Sequence, residues 1–256
     1  MRRRLAGSIG ALLGLILTAA VPSAAAELKV LTAGAFKQVL AAELPGFEQR
    51  SGHTAAIDNA TVGVLVRRIE GGEAFDVAVL SPAAVDGLIA KGKIAAGTRK
   101  PLAKVGVGVV VKAGAPKPDI ATVDAFKRAL LAASSVAYID PAAGGSSGIY
   151  IAKLLEELGV ADAVNAKAKL IQGGAVADHI AAGEAALGLH QISEILPVKG
   201  ATLVGPLPAP LQHYTVYAAG ISSVARDRAA AQALIDHLAS PAGAAVLASK
   251  GMEPAS

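Results

Sequence analysis

Three short segments of this chain place small, hydroxyl or amide residues where a strand hands over to a helix. They are Thr32-Ala33-Gly34-Ala35, Asn59-Ala60-Thr61-Val62-Gly63 and Gly144-Gly145-Ser146-Ser147-Gly148. The first backbone N–H groups of a helix have no intrahelical acceptor and sit at the positive end of its dipole. Turns of this kind favour an anion. Thr32, Asn59, Thr61, Ser146 and Ser147 add side-chain donors, and the backbone at Ala35 and Ser147 supplies helix-start N–H groups. Ser81 opens a further helix after the apolar run 75–80. Gln191, which both donates and accepts, ends the run 186–191. Arg67 stands on the helix after the second turn as a candidate charge partner. These nine residues form the expected ligand-binding set.

Other chemistries find less support. Gly144 to Gly148 also fits G-x-S-x-G, but the nucleophile elbow needs a tight strand–Ser–helix turn. Here Asp140-Pro141-Ala142-Ala143 lengthens the connection, and no HGGG-type segment precedes it. None of the five histidines falls at metal-ligand spacing, and there is no Cys, so thiol chemistry, disulfides and thiolate metal sites are excluded. No Walker motif occurs. The expectation is a site without metal or cofactor.

The elements that must position these residues alternate. Runs at 28–33, 54–57 and 75–80 read as strands, with helices over 36–50, 62–70 and 83–90 between and after them. The long β-branched run 105–112 follows, then helices at 122–132 and 149–158, strands at 136–139 and 168–172, a helix at 176–182 and the strand 186–191. Residues 197–210, with Pro197, Pro206, Pro208 and Pro210, read as connector. A strand at 214–219 and helices at 226–240 and 242–250 close the chain. This order predicts an α/β fold with mostly parallel strands and crossover helices. Ligands of such sheets collect at the carboxyl ends of the strands.

Residues 1–26 carry Arg2, Arg3 and Arg4, an apolar run to Val21, Pro22, and small residues at Ala24 and Ala26. That is the layout of a cleavable secretory signal, which places the protein in a bacterial periplasm. The same three arginines supply most of the formal net charge of +4, so the remainder is near neutral. With aromatics at 3% and no Trp, the chain lacks both the basic footprint and the stacking platforms of a nucleic-acid binder.

Several phrases resemble the periplasmic molybdate-binding protein family. They are LTAGAFKQVL at 31–40, LVRRI at 65–69 before Gly71, DVAVLS at 76–81, Asp140-Pro141 followed by Gly148-Ile149-Tyr150, and Leu187-Gly188-Leu189. The resemblance implies a two-lobed type II periplasmic binding fold with the anion clamped between lobes joined by two crossing strands, near 105–112 and 211–218. Lobe one would take 27–108 and 214–256, and lobe two 109–213. It implies a monomeric solute-binding protein that hands a small anion, an organic carboxylate or an oxyanion such as molybdate, to a permease of the ATP-binding-cassette type. Where the family places a Ser, a Ser-rich run and a Tyr, this chain has Ala35, Thr61-Val62-Gly63 and Gln191. Those departures favour an organic anion. Similar exported proteins of this fold include a periplasmic aconitate isomerase, which gives the alternative of cofactor-free isomerisation of a small tricarboxylate. Tyr150, Glu194 and His213 are conceivable bases. His190 is expected on the opposite strand face from Gln191.

Overall fold

The computed structural model describes residues 25–255. The export signal read at 1–26 lies outside them, apart from Ala25 and Ala26. Among the described residues no helix is long and apolar enough to cross a membrane.

The first half alternates as expected. Strand β1 (Glu27–Ala33) leads through a 3₁₀ turn to α1 (Lys37–Ser51), which ends at Gly52 with φ 73°, a left-handed stop. β2 (Thr54–Ala60) leads to α2 (Val62–Glu70), where Thr61 Oγ1 accepts from the Val64 N–H as the N-cap. β3 (Val77–Leu80) leads to α3 (Pro82–Ala90), with Pro82 at its permitted first turn. After β4 (Lys100–Lys112) come α4 (Val123–Ala132), β5 (Val136–Ile139), α5 (Ser146–Glu157), α6 (Ala161–Asn165), β6 (Ala168–Ile171), α7 (Val176–Ala181), β7 (Leu187–Gln191) and α8 (Ile192–Ile195). The chain closes with β8 (Ala201–Pro206), β9 (Tyr214–Ile221), α9 (Arg228–Leu238), α10 (Pro241–Ser249) and β10 (Glu253–Pro254).

The strands run in the order β2-β1-β3-β9-β4-β7-β5-β6. β1 pairs in parallel with β2 and β3, and β5 in parallel with β6 and β7. β4 joins the two sets. Its first part pairs antiparallel with β9 up to Gly106↔Tyr214, and its second pairs with β7 from Val107↔Gln191. The change of partner is bridged by one side chain. Gln212 Oε1 accepts from Val107 N at 2.9 Å, and its Nε2 donates to Val107 O at 3.0 Å. A side-chain amide thus supplies the acceptor that the Val107 N–H lacks at the change of partner, and shares the Val107 carbonyl with the Leu207 N–H.

Both faces of the inner strands β3 and β5 are covered, which is why they are continuous apolar runs. Alternation sends Val30 toward Phe36, Leu40 and Leu234, and its neighbour Leu31 toward Leu65, Ile69 and Leu88. Likewise Tyr138 packs with Phe126 and Leu155, and Ile139 with Val176 and Ile180. Val105 belongs to the first core and Val107 to the second.

Several features differ from the sequence expectation, the unexpected short helices α6 and α8 and the longer β2 among them. β4 begins at Lys100, because Leu102 and Ala103 are buried against β9 despite Pro101. The proline-rich connector holds β8, which pairs only with β4 and ends at Pro206, a position that an edge strand tolerates. The loop expected up to Gly148 ends earlier, with α5 starting at Ser146.

Candidate functional site

A cavity of about 210 Å³ opens where the carboxyl ends of β1, β2, β5, β6 and β7 meet. It is smaller than the roughly 300–1,000 Å³ of drug-sized sites, so its occupant is compact. Six expected residues line it: Ala35, Asn59, Thr61, Ser146, Ser147 and Gln191. Three do not. Thr32 is fully buried within the sheet, and its hydroxyl donates to the Ala33 carbonyl. Arg67 is exposed on α2, two residues from each of the core-facing Leu65 and Ile69, and so on the opposite side of the helix. Ser81 precedes Pro82 at the start of α3, away from the cavity lining.

The wall at α5 is made of helix-start backbone. Ile149 N–H is the first to bond back into the turn, to Gly145 O, so the N–H groups of Ser146, Ser147 and Gly148 lack intrahelical acceptors. Ser147 is buried and Ser146 half-buried. Facing them, Tyr217 O–H on β9 donates to Gln191 Oε1 at 2.9 Å. That bond fixes the amide, leaving Gln191 Nε2 buried and without a protein acceptor. Burial, more than the Gln191 bond, governs Tyr217 and pushes its hydroxyl above the usual phenol range. Sequence reasoning missed Tyr217. Its partner Gln191 is 26 residues away, and nothing local marks the pair.

His190 and Glu194 complete the wall. His190 was expected to face away from Gln191. Both border the cavity, because a cavity lying off the end of a strand is flanked by both strand faces. His190 Nε2 lies 3.3 Å from Glu194 Oε2, with His190 only 2% exposed. Burial pushes the Glu194 carboxyl up to about 8 and the His190 imidazole down to about 3. Both shifts act toward the uncharged forms, a protonated carboxyl beside a neutral imidazole. Of the other conceivable bases, Tyr150 and His213 stack with centroids 4.5 Å apart, outside the cavity lining, and Tyr150 O–H donates to Leu211 O. No group of three His, Cys, Asp or Glu among the described residues could hold a metal.

The two sides of the cavity touch at one rim. Thr61 Oγ1 donates to Ala143 O at 2.5 Å, and Gly63 N–H donates to Gly144 O at 3.1 Å.

The paired shifts give a stability profile. In the unfolded chain the carboxyl titrates near 4.5 and the imidazole near 6.5. Between those values folded and unfolded states each hold one proton on the pair, so it adds no slope. Above them only the folded pair keeps its proton, and stability falls as pH rises toward about 8, by up to about 1.4 kcal/mol per unit. Below about 4.5 the unfolded pair binds a second proton first, and stability falls with pH until His190 protonates near 3. Asp76 adds to this acid limb. Burial acts to raise its carboxyl, but bonds from Arg226 and from the Lys29 and Arg226 backbone hold it below the usual range. Urea unfolding across pH 3–9 should show the alkaline fall in the wild type and lose it in Glu194→Gln. An equal fall in both would reject the buried proton.

Comparison with known proteins places these features in context. The model of the bacterial extracellular solute-binding protein family matches residues 28–253. An aconitate isomerase from a Pseudomonas species is 34% identical over 252 residues, spanning 94% of this chain and 95% of its own. Among solved structures, the periplasmic molybdate-binding protein of Azotobacter vinelandii superposes with a TM-score of 0.76 at 22% identity, covering 88% of this chain and 98% of its own. A sulfate-binding protein of Mycobacterium tuberculosis gives 0.72 at 19%, covering 90% and 87%.

Proposed function

Because the chain belongs to the bacterial extracellular solute-binding protein family, we propose that it works in the periplasm as a monomer, capturing a small organic anion for an importer of the ATP-binding-cassette type. The observation that carries the ligand class is Gln191 Nε2, a buried donor with no acceptor of its own, on a residue that lines the cavity and whose amide oxygen is held by Tyr217. An unpaired buried donor is costly unless a ligand accepts from it. The open N–H groups of α5 and the Asn59 amide add donors, and a neutral Glu194 places no charge against an incoming anion. The Gln191 amide, which both donates and accepts, suits a carboxylate or carboxylic acid. The lobes 27–108 with 214–256 and 109–213 close over the ligand by hinge motion in β4 and β9. The contact of Gly63 with Gly144 supports a closed arrangement.

Thermal unfolding with molybdate, sulfate, citrate and both aconitates tests this. A carboxylate at a hundred times its Kd stabilises by about 2.7 kcal/mol. Gln191→Leu should weaken that ligand about 10- to 100-fold, the loss of one hydrogen bond to a charged group. Stabilisation by molybdate or sulfate alone, or by none of these anions, overturns the reading.

A second reading is turnover. The paired Glu194 and His190 inside the cavity favour it, as does the 34% identical aconitate isomerase. In it the bound ligand is an allylic tricarboxylate, trans-aconitate, whose double bond moves by a proton shift to give cis-aconitate, visible by ultraviolet absorbance.

A further inference from the structure

We propose that Glu194 carries a proton to and from carbon of the bound anion, with His190 as the residue that positions its carboxyl. This rests on the turnover reading. Three titratable side chains line the cavity among the described residues: His190, Glu194 and Tyr217. Tyr217 is engaged by Gln191 through its hydroxyl. His190 is almost completely buried, with Nδ1 unpartnered and Nε2 directed at Glu194. Glu194 is left as the group between the imidazole and the open space.

Its seat is built from two sides. A Cβ added at Gly34 would lie 2.5 Å from Glu194 Oε1, so the carboxyl occupies the room that glycine leaves at the end of β1. The other oxygen, Oε2, faces His190. Two close neighbours at fixed positions hold the carboxyl in a narrow range of orientations, as proton transfer to carbon requires. The titratable groups facing it are His190 from β7 and Tyr217 from β9. Gly34 contributes backbone only.

The substrate class follows from the surroundings. Donors at Gln191 and the start of α5 hold carboxylates, which sets a neighbouring C–H against Glu194. The ionised carboxyl takes a proton from a methylene carbon that lies beside both a carboxylate and a carbon–carbon double bond. The C–H electron pair forms the new double bond, and the old double-bond pair spreads toward its own carboxylate. Glu194, whose side chain is 15% exposed and whose proton can exchange with water, then delivers a proton to the far carbon. One bond to hydrogen breaks and one forms, composition is unchanged, and no electron acceptor is needed. One positioned carboxyl can act as base toward the first carbon and, once protonated, as acid toward the second.

The test follows deuterium uptake from D₂O into trans-aconitate, and its isomerisation, with the full protein. The wild type should exchange and isomerise, with kcat/KM rising with pH and levelling above about 8. Glu194→Gln should lose at least about 100-fold in exchange while trans-aconitate still raises its Tm. Glu194→Asp, which keeps the acid but withdraws it by a methylene, should be folded and slowed. His190→Gln should keep measurable exchange and move the midpoint of the pH profile. Exchange at the wild-type rate in Glu194→Gln overturns the assignment of Glu194 and leaves the turnover reading intact. Neither isomerisation nor exchange in the wild type, with the ligand bound, overturns the turnover reading and the shuttle together.

Discussion

Gly148→Ala should destabilise the protein by about 3 kcal/mol, the upper end of overpacking costs, and should abolish ligand binding at ordinary concentrations. Helix propensity alone gives the opposite sign, since Ala is favoured over Gly in a helix by about 1 kcal/mol. The neighbour decides. A Cβ at position 148 would lie 2.2 Å from the Ile139 carbonyl oxygen and 2.9 Å from its carbon. Both are backbone atoms of β5 and cannot swing aside. The relief available is to lift α5 off the sheet, which carries the N–H groups of Ser146 and Ser147 out of the cavity. Gly87→Ala in α3 is the control, because an added Cβ there meets nothing within 4 Å. It should be neutral or stabilising by up to about 1 kcal/mol. Denaturant unfolding of both variants checks the pair. A Gly148→Ala protein as stable as Gly87→Ala would mean that α5 is not seated on Ile139.

Gly63→Ala should act on closure rather than on folding. Gly63 lies in α2, on the side of the cavity built around the first core. An added Cβ would stand 2.8 Å from Gly144 Cα and 3.3 Å from Ala143 O, across the rim. Separating these backbones forfeits the Gly63 N–H bond to Gly144 and the Thr61 hydroxyl bond to Ala143. Each contributes about 1–1.5 kcal/mol, so affinity should fall about 100-fold by calorimetry. The helix itself gains from Ala, and the melting temperature without ligand should hold or rise. Wild-type affinity in a folded Gly63→Ala protein would show that the rim contact contributes nothing to closure.

Much of the scaffold is legible without tertiary information. The helix expected at 62–70 matches α2 residue for residue, because Thr61 caps it and Leu65 and Ile69 mark its buried face. The three strand-to-helix turns are read from their small, hydroxyl and amide residues, although only Thr61 caps its helix with its side chain. β8 escapes because Pro206, Pro208 and Pro210 argue against a strand, and only its place on the free edge of β4 makes them harmless. Short α6 and α8 carry too few residues to show a period.

The site divides along the same line. Ala35, Asn59, Thr61, Ser146, Ser147 and Gln191 come together because each sits at or just beyond the carboxyl end of a strand, and parallel strands bring such ends to one edge. Thr32, Arg67 and Ser81 share the residue types but not the direction, which strand alternation and helix phase decide.

The sequence by itself determined the family, the alternation of elements and the turns that offer N–H groups, since these depend on neighbours a few residues apart. The folded structure alone decided that Tyr217 takes the oxygen of Gln191, that Gly34 makes room for Glu194, and that His190 closes the far side. Those contacts join β1, β7 and β9 through the register of β4. The loss of water around them, which no short window of sequence encodes, is what keeps a proton on Glu194 and leaves the Gln191 amide without an acceptor.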